Sequence, residues 1–222
     1  MPSVNQDFNS TPFMNIISGR LLMNANEGTP GAVSREKKNG KVVWEVPYKA
    51  WRGVVKGWNI KEFEYEGKKI KSLNVNFDDV TLSLSSKMMT EFIKKFSNCK
   101  VDEEITVSPY PDFVGKDGRP KKSGLTIIQN GERIYDHFSE WKDEVLTQKN
   151  GYPVPEKKWN DMSDSEKKIY NIRCDEFLEN WVLLHPINNI AVSTTEPPVG
   201  TMHDDFSLDD EDVDDMLTKA PF

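Results

Sequence analysis

Apolar and polar residues alternate along much of the first 135 positions. In Val42–Tyr48 the period is two, which is typical of a strand with one buried face, and it places Glu45 on the side away from that face. The segment from Trp51 to Phe77 predicts a long hairpin that turns at Glu66-Gly67, because glycine accepts a positive φ. Further strand signals occupy residues 16–23, 105–110 and 125–135. The pattern therefore predicts a mainly β protein.

At two places the apolar spacing changes to three and four, which predicts helices. The first helix follows Ser86, the expected N-cap, and ends near Ser97-Asn98. The second begins at a capping box formed by Ser163 and Glu166 and stops before Pro186. Its apolar side is expected to pack on the β domain and consists of Tyr170, Cys174, Phe177, Trp181 and Leu184.

The order of several strands, one helix and then two or three strands fits an oligonucleotide/oligosaccharide-binding barrel (OB-fold), whose helix lies between the third and fourth strands. We predict an OB-fold barrel of five or six strands in residues 1–141 and a helical appendage that packs on it in residues 142–186. An acidic tail follows in residues 187–222. The tail has too few apolar residues for its charge to fold alone, so we expect it to be disordered.

The charge of the chain is unevenly distributed. Its 222 residues include 29 basic and 36 acidic side chains, which gives a net charge of −7. Residues 196–222 hold nine of the acidic residues and one basic residue, a net of −8, so the remainder carries +1. The negative net charge of the whole chain is therefore compatible with a polyanionic partner for the body of the protein.

Several classes of function are disfavoured by the residues present. The histidines His137, His185 and His203 lie far apart in the sequence, and Cys99 and Cys174 do not have metal-ligand spacing. The sequence contains neither a phosphate-binding glycine loop nor a nucleophile elbow. We expect no enzymatic activity, no cofactor and no metal. Isolated cysteines, a polar N-terminus and the absence of an apolar run of about 20 residues favour a cytoplasmic location, in the host cytoplasm if the protein is phage-encoded.

Aromatic and basic residues are interleaved between positions 41 and 65. The bases of a single strand stack on aromatic side chains, each for about 1–3 kcal/mol, while Lys and Arg contact the phosphates. The same rings also fit a core, although a small barrel cannot bury all six. The six rings are Trp44, Tyr48, Trp51, Trp58, Phe63 and Tyr65. The candidate nucleic-acid-binding residues of this segment are Lys41, Trp44, Tyr48, Lys49, Trp51, Arg52, Lys56 and Trp58.

A second basic element, from Pro111 to Ser123, joins the last two predicted barrel strands. In an OB-fold the loop at this position flanks the ligand. Its cations belong either to a solvated loop or to a DNA contact, and the neighbouring rings favour contact. The candidate residues of this element are Tyr110, Phe113, Lys116, Arg119, Lys121 and Lys122.

The C-terminus is the most specific feature of the sequence. Pro221 fixes the backbone before Phe222, so the ring and the terminal carboxylate are presented together to a hydrophobic pocket lined with Lys or Arg. The acidic run before them raises the encounter rate with such pockets. A solubilising tail would explain the charge but not the terminal Pro-Phe. The candidate partner-binding residues are Asp209, Asp210, Asp212, Asp214, Asp215, Pro221 and Phe222.

The acidic stretch followed by Ala220-Pro221-Phe222 resembles the C-terminal tip of bacterial single-stranded DNA-binding proteins. The size, the single barrel and the acidic tail that ends in Phe222 also resemble the replicative single-stranded DNA-binding proteins of tailed phages. The close match covers about the last twenty residues, and Ala220 departs from the usual bulky aliphatic residue. The resemblance implies that the tail recruits replication or recombination proteins and folds back over the basic groove when DNA is absent.

The sequence thus predicts a sequence-tolerant single-stranded DNA-binding protein, expected to be phage-encoded, that protects DNA during replication, recombination and repair and recruits partners through its tail. Two alternatives remain open. One is an adaptor or inhibitor whose acidic tail imitates DNA and occupies a host DNA-binding protein. The other is an RNA-binding module with a similar barrel. The oligomeric state is not determined by the sequence.

Overall fold

The computed structural model describes residues 11–37, 40–65, 67–114, 120–142 and 145–187. The first part of the chain contains strands β1 (Phe13–Ile17), β2 (Arg20–Ala25), β3 (Val33–Glu36), β4 (Val42–Tyr48), β5 (Trp51–Gly53), β6 (Gly57–Tyr65), β7 (Lys68–Asn76) and β8 (Thr81–Ser85), followed by helix α1 (Ser86–Phe96). The second part contains β9 (Ile105–Tyr110), β10 (Phe113–Val114), β11 (Pro120–Lys121), β12 (Gly124–Gln129), β13 (Glu132–Ile134), β14 (Ser139–Lys142), β15 (Val145–Gln148), a 3-10 turn (Trp159–Asp161) and helix α2 (Asp164–Leu184). The mainly β fold and the C-terminal helix predicted from the sequence are confirmed.

Most strands belong to two sheets. The larger sheet has seven strands in the order β3-β4-β2-β1-β8-β7-β6, and only its β1–β8 pairing is parallel among the strands described. The smaller sheet has the order β13-β12-β9-β5 and is antiparallel throughout. Two residues separate β4 from β5, so one stretch of chain passes from the larger sheet to the smaller one. Strands that change sheets in this way form the corners of β-sandwiches and barrels. Within the described residues, the pairings do not close the sheets into a barrel.

The hydrophobic core is formed by both sheets together with α1 and the buried side of α2. Helix α1 packs against β7, β8 and β12. Burial of each large apolar side chain stabilises the fold by about 1.5–3 kcal/mol. Side chains that are less than 2 % exposed include Met14, Leu21, Leu73, Leu82, Leu84, Phe92, Ile93, Ile105, Leu125 and Ile127.

Helix α1 also completes the edge of β12. Beyond the end of its pairing with β13, the backbone of Leu125 is bonded by side chains of the helix: Glu91 Oε2 accepts its N–H at 3.2 Å, and Lys95 Nζ donates to its carbonyl. Glu91 and Lys95 are themselves bonded at 2.7 Å. This pair replaces a neighbouring strand and satisfies an edge that would otherwise be open to another chain. The helix begins one residue earlier than predicted, because Ser85 occupies the N-cap position, without a side-chain hydrogen bond.

The predicted capping box of α2 is present. Ser163 Oγ accepts the N–H of Glu166 at 3.3 Å, and the Glu166 carboxylate accepts the N–H of Ser163 at 2.8 Å. Helix α2 packs against α1 and β6. Its buried residues are Cys174, Leu178 and Val182, whereas Leu184 is 76 % exposed. The prediction that Leu184 belongs to the packed side is therefore wrong, because the buried row repeats every four residues and Leu184, two residues after Val182, points away from it.

Strand β4 differs from its sequence pattern at Glu45. This residue was expected on the outward side of the strand, yet it is 3 % exposed. Arg35 on the neighbouring β3 donates to both of its carboxylate oxygens, at 3.0 and 2.9 Å. A buried carboxylate requires such partners because its desolvation is costly. Glu45 is thus the one buried residue of β4, and a tertiary ion pair rather than the alternation of the strand decides its burial.

Candidate nucleic-acid interface

Three chain segments converge where the basic loop leaves the smaller sheet. The first is the turn Ser18-Gly19 between β1 and β2, with Gly19 at φ +71°. A Cβ atom at Gly19 would lie 2.6 Å from Pro111 Cα, so this turn packs directly on the start of the loop that follows β9. The second segment is the start of that loop, at Pro111. The third segment is the end of β4, where Tyr48 pairs with Leu21, two residues after Gly19. The convergence places the first turn of the chain, the aromatic segment and the basic loop side by side.

The first ring pair at this point joins Tyr48 and Trp51. Their ring centroids lie 5.4 Å apart and the rings are nearly perpendicular, at 88°. Trp51 stands opposite the buried Val107, which places it on the inner side of the smaller sheet. Its indole N–H is buried and meets no acceptor among the residues described. Both rings are half-buried, so each contributes to packing and keeps part of its surface accessible.

The second ring pair joins Tyr110 and Phe113. Their centroids are 5.8 Å apart at 83°, and Phe113 is 50 % exposed. The Tyr110 hydroxyl lies against Gly124, where a side chain would collide with it. The same added Cβ would lie 2.8 Å from Glu91 Oε2, so Glu91 is also close to this position. Burial and the nearby Glu91 carboxylate raise the pKa of Tyr110, so its hydroxyl stays protonated at neutral pH. This pair offers the more accessible aromatic surface.

Most of the described candidate cations are exposed, whereas Lys56 is half-buried, and several have carboxylate neighbours. Arg52 donates through Nε to Glu104, which directly precedes β9. Lys56 lies 3.3 Å from Asp78, and Lys122 lies 3.5 Å from Asp112. Exposed ion pairs of this kind contribute about 0–1 kcal/mol, so a phosphate can replace the carboxylate at little cost. Lys41 and Lys49 are also exposed.

Two of the predicted rings lie elsewhere. Trp58 donates its indole N–H to the carbonyl of His185 at 3.1 Å and packs edge-on against Phe96, with centroids 5.3 Å apart. It therefore attaches the end of α2 to β6. Trp44 is half-buried in the larger sheet, opposite Ala25 and Ser34. The structure thus divides the predicted aromatic segment between the convergence point and the body of the larger sheet.

Some predicted residues cannot be placed. The backbone of Lys121 pairs with Phe113 in the short β10–β11 hairpin, but its side chain lies outside the described residues. Lys116 and Arg119 lie outside them as well, as do all the tail candidates, Asp209, Asp210, Asp212, Asp214, Asp215, Pro221 and Phe222. Their contribution to binding stays a prediction.

The structure adds two accessible residues that the sequence analysis did not select. The guanidinium of Arg133 lies 5.7 Å from the ring centre of Tyr135, and Tyr135 is 70 % exposed. Both residues follow the Asn130-Gly131 turn, which the sequence indicates. In this turn Asn130 has a φ of +54° and Gly131 a φ of +80°. Arg133 in β13 and Tyr135 directly after it are two residues apart, so their side chains are expected on the same side of the strand. Only the sheet order brings β13 next to the predicted interface.

Within the described ranges there is no group of three or more His, Cys, Asp or Glu residues that could hold a metal ion. Cys99 and Cys174 are free thiols, and burial raises the pKa of Cys99 to about 12, which keeps it protonated and unreactive. Neither described helix is sufficiently long and apolar to span a membrane. The described side chains at the convergence point are aromatic rings and cations, together with the Asp112 carboxylate that faces Lys122.

No protein-family model, curated protein or solved structure matches this chain. The geometry and chemistry of its own residues therefore carry the functional conclusion. Those residues combine half-exposed rings with exposed cations at the meeting point of two sheets.

Proposed function

We propose that the protein binds single-stranded DNA, with little dependence on base sequence, at the convergence point of the β1–β2 turn, the Tyr48–Trp51 pair and the Tyr110–Phe113 pair. The observation that carries the proposal is this convergence itself. It brings together two ring pairs that adjoin exposed cations: Lys49 follows Tyr48, and Lys122 faces Asp112, which precedes Phe113. Rings supply stacking platforms that accept any base, and cations follow the phosphates.

The finer architecture belongs to the same proposal. We infer an OB-like barrel whose corner is the passage from β4 to β5. Two observations support it. In the chain, α1 lies between β8, the last strand of the larger sheet, and β9 of the smaller sheet. The β1–β2 turn also contacts the loop that follows β9. In OB-folds, the loop between the first two strands and the loop between the last two flank the ligand.

The tail completes the proposed function. In this proposal the protein is not an enzyme, protects single strands during replication, recombination and repair, and is phage-encoded. The acidic run and Phe222 recruit other replication proteins, and this part of the proposal is supported by the resemblance of the C-terminal tip and by its charge of −8 over residues 196–222.

The proposal is tested by fluorescence anisotropy of a labelled oligo-dT with the full chain. Phe113→Ala should weaken affinity about fivefold to a hundredfold, because one stacking ring contributes about 1–3 kcal/mol. Trp58→Phe is the control: it changes another ring of the same predicted set, one that packs against Phe96 and donates to the carbonyl of His185, and it should leave affinity unchanged. Affinity should also fall steeply with salt, since binding releases counterions from the phosphates.

Three outcomes would contradict the proposal. Absence of binding by the wild-type chain would exclude it, as would stronger binding to duplex than to single-stranded DNA. Tighter binding to a matched RNA oligomer would assign the surface to RNA, which differs from DNA by its 2′-hydroxyl.

A further inference from the structure

We propose that the bound single strand crosses the outward face of the smaller sheet, between Arg52 at one edge and Arg133 at the other. This inference rests on the proposed function and names the path that the strand takes. The outward face consists of the side chains of Arg52, Thr106, Ser108, Tyr110, Thr126, Ile128 and Arg133, and it extends the interface beyond the convergence point.

The alternation of burial identifies this face. In β9, Ile105, Val107 and Pro109 are buried, whereas the residues between and after them are half-buried. In β12, Leu125 and Ile127 are buried, whereas Thr126 and Ile128 are half-buried. Successive side chains of a strand point to opposite sides, so the half-buried set of both strands shares the side away from the core.

The strand register aligns the two arginines in one row. Arg52 stands opposite Thr106, and Thr106 stands opposite Ile128. Ile128 in turn stands opposite Arg133. Directly paired residues project to the same side of a sheet, so both guanidinium groups lie on the outward face. Three strand spacings of about 4.8 Å separate them, about 14 Å in total.

This separation suits contacts with two different phosphates of one strand. It is about four times the rise of about 3.4 Å per nucleotide within one strand of a duplex, so the row has room for several nucleotides of one strand. The row therefore favours a strand that runs across the sheet over an anion bound at one point. Between the arginines, Thr106 and Ile128 carry no charge that would repel phosphate.

Both arginines retain donors for a phosphate. A guanidinium group has five N–H donors, and the bond from Arg52 to Glu104 uses Nε. Arg133 has no carboxylate partner among the residues described and lies over the ring of Tyr135. Planar guanidinium groups bind phosphate oxygens in a bidentate manner, which a point charge does not.

Rings border the row on the side of β13 and at the end of β9. Tyr135 is 70 % exposed, and Tyr110 lies two residues beyond Ser108 in the same strand. The arrangement of two cations, a neutral floor and flanking rings matches the chemistry of an extended single strand, with phosphates on the cations and bases on the rings.

The test compares Arg133→Ala and Tyr135→Ala with Arg173→Ala in oligo-dT titrations at several salt concentrations. Arg173 is a suitable control because it is an exposed arginine of α2, away from the smaller sheet. Arg133→Ala should weaken binding about tenfold and reduce the slope of log affinity against log salt by about 0.7, the value for one phosphate contact of a single strand. Tyr135→Ala should weaken binding at least fivefold without changing the slope.

The outcomes separate the path from the function. If the wild-type chain binds oligo-dT, but Arg133→Ala and Tyr135→Ala bind with the affinity and salt slope of Arg173→Ala, the path is wrong and the proposed function stands. If the wild-type chain does not bind, the function itself fails. Photo-crosslinking of an iodo-deoxyuridine oligomer to the wild-type chain gives a readout that does not depend on variant folding: crosslinks at Tyr135 support the path, and their restriction to other rings overturns it.

Discussion

Two aromatic clusters of this protein have similar ring geometry and different surroundings. Tyr110 and Phe113 pack edge-to-face with centroids 5.8 Å apart, and Phe138 and Trp181 do so at 4.9 Å. Phe113 is half exposed, whereas Phe138 is completely buried. Ring geometry alone therefore does not indicate whether an aromatic residue binds a ligand or fills a core.

The element that lies next to each cluster decides its role. Phe138 is contacted by Phe177 and Trp181 of α2 and by Tyr152 on the segment before that helix. Phe113 lies in a two-residue strand within the loop between β9 and β12, where its described strand partner is Lys121. Rings that a helix covers become part of the core, whereas rings on a short hairpin stay accessible to solvent. This contrast leads to three predictions of decreasing effect.

Phe138→Ala should produce the largest effect. Truncation of a completely buried phenylalanine leaves a cavity among the rings of the α2 cluster and should cost about 3–5 kcal/mol of unfolding free energy, measured by urea denaturation. Oligo-dT affinity of the folded fraction should stay unchanged. A variant of normal stability with weakened DNA binding would reverse the roles assigned to the two clusters.

Gly19→Ala should have an intermediate effect that reaches both stability and binding. The residue has a positive φ, and a Cβ would overlap Pro111, so the turn must move away from the basic loop. We expect a loss of about 2–3 kcal/mol in unfolding free energy together with weaker oligo-dT binding. Gly28→Ala is the control, because Gly28 also has a positive φ but has no atom within 4 Å of the added Cβ. Equal losses in both variants would show that the contact with Pro111 is unimportant.

His137→Gln should give the smallest effect, confined to pH dependence. Burial and the nearby Lys149 lower the pKa of His137 below its ordinary value of 6.5, so the unfolded chain takes up the proton more readily than the folded protein. The stability from this residue is therefore present above about pH 6.5 and is lost as the pH falls through the folded pKa. Urea denaturation at about pH 7.5 and pH 5.5 should show a smaller decrease for the variant than for the wild type. Equal decreases would exclude His137 as the titrating group.

Much of the fold was predictable because local signals and tertiary packing agree. The last pair of the β6–β7 hairpin is Tyr65 with Lys68, and Gly67 has a φ of +74°, as the sequence indicated; the capping box starts α2. The Pro111–Ser123 loop does join β9 to β12. The hairpin β14–β15 crosses the domain boundary predicted at residue 141, where no turn signal had been recognised.

The candidate site was predictable only in part. The sequence indicated that residues 44–65 hold more rings than a small core accommodates, but it gave no basis for separating Tyr48 and Trp51 from Trp58. That separation depends on what packs against each ring: Trp58 meets the end of α2, more than a hundred residues later in the chain. Arg133 and Tyr135 were missed for the same reason, because their value depends on the neighbouring strand.

The sequence by itself determined the periodicities, the turns, the helix caps and the separation of a mildly basic body from an acidic tail, since these depend on neighbouring residues and on composition. The tertiary structure alone decided the sheet order, the parallel β1–β8 pairing, the burial of Glu45 by Arg35 and the row from Arg52 to Arg133. These features join residues that are distant in the sequence, and their stability arises from packing and desolvation, which no local pattern encodes.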